Sequence, residues 1–141
     1  MKKIAFTLLM VLNLTFFPNS ASAQTKPLAC QVDEAAGLLW ERGRWVINKF
    51  ISKKYILVQE GKTLTSDSVA RVFHPNLPYG AGISCKTYVD GEIMCTDFGA
   101  ASLFFDPKTL KGGLSKLAGS VSNDASERDT VTVEVFSCTP F

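Results

Sequence analysis

The chain has 141 residues, 46% of them hydrophobic, with 15 basic and 13 acidic side chains, one histidine and four cysteines. That length fits one domain with a single core. Two of the lysines, Lys2 and Lys3, belong to a leader, so the remainder is formally neutral and lacks the basic field of a nucleic-acid binder.

The chain opens MKKIAFTLLMVLNLTFFPNSASAQ. Lys2 and Lys3 start it, a mostly apolar run follows to Phe17, Pro18-Asn19-Ser20 breaks the run, and Ala21-Ser22-Ala23 is a small-x-small site. This is the pattern of a secretory signal peptide over residues 1–23, cleaved after Ala23. A spanning helix needs ~20 apolar residues, more than this run supplies, and no later segment is long and apolar enough to span a bilayer. A lipoprotein site at Leu28-Ala29-Cys30 is the weaker alternative, because Thr25-Lys26-Pro27 separates it from the apolar run. Residues 24–141 are then a single β-rich domain in the periplasm or outside the cell.

Residues 31–36 are small and polar, a lead-in strand or a short helical turn. GLLWERGRWVINKF reads as two strands, residues 37–40 and 44–50, around a three-residue loop Glu41-Arg42-Gly43. That loop pairs Trp40 with Arg44, which puts Trp40 and Trp45 on opposite faces. Residues 55–59 are β-branched and aromatic, Gly61 punctuates, and residues 63–73 read as a further strand carrying Leu64, Val69 and Val72. HPNLPYGAG, with two prolines and two glycines, is a loop. A cysteine hairpin, CKTYVDGEIMC, comes next, then a strand at residues 98–105. Asp106-Pro107 has the form of a helix start, and Leu110, Leu114 and Leu117 fall on one helical face, with Gly119 as a stop. Residues 120–129 are a polar loop. TVTVEVFSC then alternates, with Val131, Val133 and Val135 on one face and Thr132, Glu134 and Phe136 on the other. Seven or eight short strands and one short helix imply an antiparallel barrel or sandwich.

Cys30, Cys85, Cys95 and Cys138 make an even count in an exported small domain, which reads as two disulfides. Zinc ligation wants close pairs such as C-x₂-C, and a redox centre wants C-x-x-C; neither is present. Geometry favours one pairing. A two-residue Asp90-Gly91 turn would send Cys85 and Cys95 to opposite faces. A three-residue loop Val89-Asp90-Gly91, with Gly91 in the left-handed region, sets Cys85 opposite Cys95. Cys30 then pairs with Cys138. The alternative connectivities link the hairpin cysteines to the terminal ones.

GLLWERGRW, the two cysteines around Tyr-x-Asp-Gly, LFFDPKTLKGG and RDTVTVEVFSCTPF together resemble a family of small exported four-cysteine bacterial proteins of unknown function. The resemblance implies export and β content and carries no activity.

The signals for chemistry are weak. His74 is the only histidine, in a proline-flanked loop with no nucleophile motif beside it. The acid pairs Asp33-Glu34, Glu41/Glu60 and Asp90/Glu92 are of a kind any acidic sequence offers. Asp124, Glu127 and Asp129 lack the order of a calcium loop, and Lys111-Gly112-Gly113 lacks the rest of a phosphate cradle. No catalytic residue, metal or cofactor is therefore expected. Trp40, Arg42, Arg44 and Trp45, clustered at one turn, are the candidate ligand-binding residues. Charge is uneven: residues 41–86 hold eight basic and three acidic side chains, and residues 90–141 hold four and eight. The leading expectation is a monomeric binding domain for an envelope protein or glycan, without catalytic function. A lipocalin-like carrier of a small apolar ligand and an envelope hydrolase are the alternatives.

Overall fold

The computed structural model describes residues 24–75, 82–117 and 130–141. The leader, the acids Asp124, Glu127 and Asp129, and most of the HPNLPYGAG loop lie outside them.

Strand β1, Thr25–Glu41, organises the fold. Its 17 residues extend over roughly 55 Å at strand rise. Along one edge it pairs antiparallel with β9, Thr130–Pro140. Along the other it changes partner. Its first half pairs with β3, Lys54–Glu60, and its second half with β2, Arg44–Lys49. The change falls at a bulge between Val32 and Glu34, where Asp33 is the extra residue. The lead-in segment is thus part of this strand, and its buried Leu28, Cys30 and Val32 alternate with partly or fully exposed neighbours.

The remaining strands are β4 (Thr63–Leu64), β5 (Ser84–Thr87), β6 (Ile93–Thr96), β7 (Ala101–Asp106) and β8 (Lys111–Lys116). The order β4-β3-β1-β9-β8-β7-β6-β5 makes a nearly closed antiparallel barrel of eight strands. Its two end strands meet without a ladder, and Thr87 Oγ1 donates across the seam to the carbonyl of Lys62 at 2.8 Å. Strand β2 stands off this path as a ribbon with the far half of β1.

The one helix among the described residues, α1, is Ser66–Phe73. It replaces the strand expected at residues 63–73. Only Thr63 and Leu64 stay extended, and Val69, Val72 and Phe73 then fall at i, i+3, i+4, a helical face buried in the core. Asp67 in its first turn and Arg71 in its last match the helix dipole.

The helix expected after Asp106 is a strand. Asp106 does begin a turn: its Oδ1 accepts from the Lys108 amide at 2.9 Å, its Oδ2 from Thr109 Oγ1 at 2.8 Å, and its carbonyl from the Leu110 amide at 2.8 Å. Leu110 then takes φ +56° and ends the turn. Lys111–Lys116 leaves as β8, with ladders to β7 and β9 on both sides. A helix holding Gly112-Gly113 is weak, and two flanking ladders outweigh it. Gly112 has a second use, since a Cβ there would meet the Phe136 ring at 2.3 Å and the Phe104 carbonyl at 2.5 Å. The glycine lets the aromatic ring lie against the strand.

Side chains fill the barrel. Phe105, Phe136, Leu57, Leu64, Ile93, Leu103 and Leu114 are fully buried. Both disulfides are formed, Cys30–Cys138 across β1 and β9 and Cys85–Cys95 across β5 and β6. The β5–β6 hairpin has the three-residue loop: Thr87 pairs with Ile93, the Tyr88 amide donates to the Glu92 carbonyl at 2.8 Å, and Gly91 has φ +92°.

Candidate functional site

The β1–β2 ribbon carries the candidate binding residues, in a register that differs from expectation. Arg42 and Gly43 have φ +52° and +78°, so they form a two-residue turn of the I′ kind. Glu41 pairs with Arg44, and Trp40 with Trp45. The expectation that the tryptophans point to opposite faces is corrected: both stand on one face, ring centroids 5.2 Å apart at 66°. The reason is that Arg42 itself adopts the left-handed conformation, which sequence reasoning reserved for glycine.

This face is broad. Residues directly opposite one another share it, so Leu38 and Ile47 continue the tryptophan pair, and Val131 and Val133 on β9 extend it. Ile47 is 87% exposed and Val133 55%, while the tryptophans are half-buried against their neighbours. Arg42 and Arg44 are exposed at the tip, and Arg44 lies on the opposite face from Trp45. The valines of β9, the most regular alternation in the chain, therefore face outward, and Thr132, Glu134 and Phe136 face the interior.

That orientation places Glu134 in the barrel at 1% exposure. Its Oε2 accepts from the Tyr55 hydroxyl, and its Oε1 lies 3.5 Å from Lys53 Nζ. Lys116, on the interior face of β8, donates to the carbonyls of Val72 and Phe73 at 2.9 Å each, gathering the free carbonyls at the end of α1. Burial, and secondarily the charge of Lys53, push the Lys116 ammonium down to about 8, against the opposing pull of Asp97.

His74 caps α1, its amide on the Ala70 carbonyl at 2.7 Å. Its Nε2 lies 2.6 Å from Asp97 Oδ2, and Asp97 Oδ1 accepts from the amides of Gly99 and Ala101 at 2.9 and 2.7 Å. Among the described residues no hydroxyl or thiol hydrogen-bonds to His74. The imidazole fixes the helix end to the β6–β7 turn. Sequence reasoning missed this polar set because its members lie far apart in the chain. Glu134 alone left a trace, as the one ionisable group on the inward side of an alternating strand.

The acid pairs do not converge. Asp33 is the bulged residue and Glu34 follows it, with Asp33 accepting from Ser137 Oγ at 3.0 Å. Glu41 and Glu60 lie at opposite ends of β1, and Asp90 and Glu92 are exposed in the hairpin loop. Lys111 starts β8 and is exposed, outside any phosphate cradle. Among the described residues no group of three or more His, Cys, Asp or Glu side chains is placed to hold a metal ion.

No family model, curated protein or solved structure matches the chain.

Proposed function

We propose that the protein is an exported binding domain that meets a partner of the bacterial envelope, protein or glycan, through the outer face of the β1–β2 ribbon. The observation that carries this reading is the Trp40–Trp45 pair set in an apolar face with Leu38, Ile47 and Val133, with the exposed Arg42 and Arg44 at the tip of the ribbon. Contiguous exposed apolar surface of this kind marks interaction sites, and tryptophan and arginine anchor them. Two disulfides that use all four cysteines fit an oxidising compartment. No helix among the described residues is long and apolar enough to cross a membrane. A ligand carrier is less well supported, because the barrel interior is occupied by its own side chains.

The test is site-specific photo-crosslinking in a bacterial host expressing the full chain. A photoreactive residue in place of Ile47 or Val133 is expected to give discrete adducts, and one in place of Glu60, at the far end of β3, none. The composition of the adduct separates protein from glycan. Equal labelling at all three positions, or none, overturns the reading. N-terminal sequencing of the exported form, expected to begin at Gln24, checks the leader.

A further inference from the structure

Among the described residues the strand β2 pairs with β1 alone, and none of them covers its other edge. Which main-chain groups lie on that edge follows from the register. In a two-residue hairpin the pair closing the turn, Glu41 and Arg44, exchanges hydrogen bonds, and the next pair, Trp40 and Trp45, does not. Alternation continues along the ladder, and the Phe50 amide donates back to the Ala35 carbonyl at 3.1 Å, on the same phase as Arg44. The amides and carbonyls of Trp45, Ile47 and Lys49 therefore point away from β1.

Three features bear on what can occupy this edge. Ile47, in its centre, is almost fully exposed, although its side chain belongs to the apolar outer face. The cations Arg42, Arg44, Lys49 and Lys54 make no ion pair with another described residue, and Glu41 is the only acid from position 41 to 54. These cations lie at both ends of the strand. Antiparallel pairing of two copies would carry the Arg42–Arg44 tip of one to the Lys49, Lys53 and Lys54 end of the other. Like charge thus bars a second copy, the usual hazard of an open edge. The same charges attract a strand of opposite sign.

We propose that the β2 edge takes up an extended acidic segment of a partner protein as an added antiparallel strand. Main-chain bonds to Trp45, Ile47 and Lys49 set its register, apolar side chains on alternate positions cover Ile47 and Trp45, and carboxylates lie opposite Lys49 and Arg44. The inference rests on the ribbon being the binding surface and adds the partner's chemistry and its mode of attachment.

The probe is a synthetic peptide, acetyl-Asp-Glu-Thr-Val-Thr-Val-Glu-amide, titrated into the oxidised protein and followed by NMR amide shifts and hydrogen exchange. Saturable shifts at β2 are expected, with new exchange protection at Trp45, Ile47 and Lys49. Ile47→Pro removes an outward amide without removing a bond to β1, and is expected to weaken binding at least tenfold. The double variant Arg44→Glu/Lys49→Glu is expected to lose the acidic peptide and to bind the same peptide with lysines in place of its acids. Absence of shifts at millimolar acidic peptide, equal binding of both peptides to the native protein, or pairing of two copies through β2 overturns the proposal. Crosslinks at Ile47 and Val133 in the otherwise native protein, together with no binding of the acidic peptide to the native protein, would leave the ribbon as a binding face and reject the added strand.

Discussion

Tyr55 on β3 donates its hydroxyl to the buried carboxylate of Glu134 on β9, so the two strands that flank β1 are joined across it by side chains. Removing only the donor leaves a buried acceptor unsatisfied, which costs ~1–3 kcal/mol. Tyr55→Phe is therefore expected to lower the unfolding free energy measured by urea titration by that much. Tyr55→Phe/Glu134→Leu, which removes both polar groups, is expected to lose less than the sum of the single changes. Additive losses in this double-mutant cycle would show that the bond is not the coupling term.

Lys116 gives the protein an alkaline dependence of known sign. Its folded value of about 8 lies below its ordinary 10.5. Between these values the unfolded chain binds more protons than the folded one, so stability rises with pH across that window and is flat from this group below it. The gain is on the order of 2 kcal/mol after allowance for partial exposure. Urea unfolding from pH 7 to 10.5 is expected to record it for the native chain and not for Lys116→Met. A rise that persists in the variant would assign the effect elsewhere.

Gly112→Ala tests the close approach of Phe136. The added Cβ has the Phe104 carbonyl on one side and the buried ring on the other, and the backbone cannot yield as a flexible side chain can. Overpacking of this kind costs roughly 1–3 kcal/mol. The double variant Gly112→Ala/Phe136→Leu is expected to recover part of that loss by relieving the contact. If Gly112→Ala alone leaves the midpoint unchanged, the ring is free to move.

The two disulfides close loops of very different size, 108 and 10 residues apart in sequence. In the chain-entropy description the longer one constrains the unfolded chain more, ~5 kcal/mol against ~3 kcal/mol. Cys30→Ser/Cys138→Ser is thus expected to lower the thermal midpoint further than Cys85→Ser/Cys95→Ser. Peptide mapping without reductant is expected to return Cys85 linked to Cys95. The reverse order of stabilities would point to the hairpin bridge as the tighter constraint on the native state.

What could be read from the residues depended on how local the deciding physics was. The cysteine hairpin could be counted out, because a bond between Cys85 and Cys95 and a period of two leave one loop length. Gly112-Gly113 and the leucines at 110, 114 and 117 resemble a weak helix, and only the ladders of β7 and β9, remote in sequence, decide for a strand. At Ser66–Phe73 the error ran the other way: Val69, Val72 and Phe73 had helical spacing, but the β-branched strand at residues 55–59 and the Gly61 turn before them suggested a returning strand. The turn at Arg42 failed for a narrower reason, a non-glycine residue at positive φ. At the candidate site the residue identities were legible and their shared face was not, because one residue of loop length reverses it.

The bridge between Cys30 and Cys138 makes a ring of nearly everything between them. A single cut by a protease at any peptide bond inside that ring opens it without releasing a piece. The nicked chain keeps all its residues, and its cut ends stay tethered through the bridge. A closed covalent circuit of this sort keeps one proteolytic event from separating the chain into two fragments.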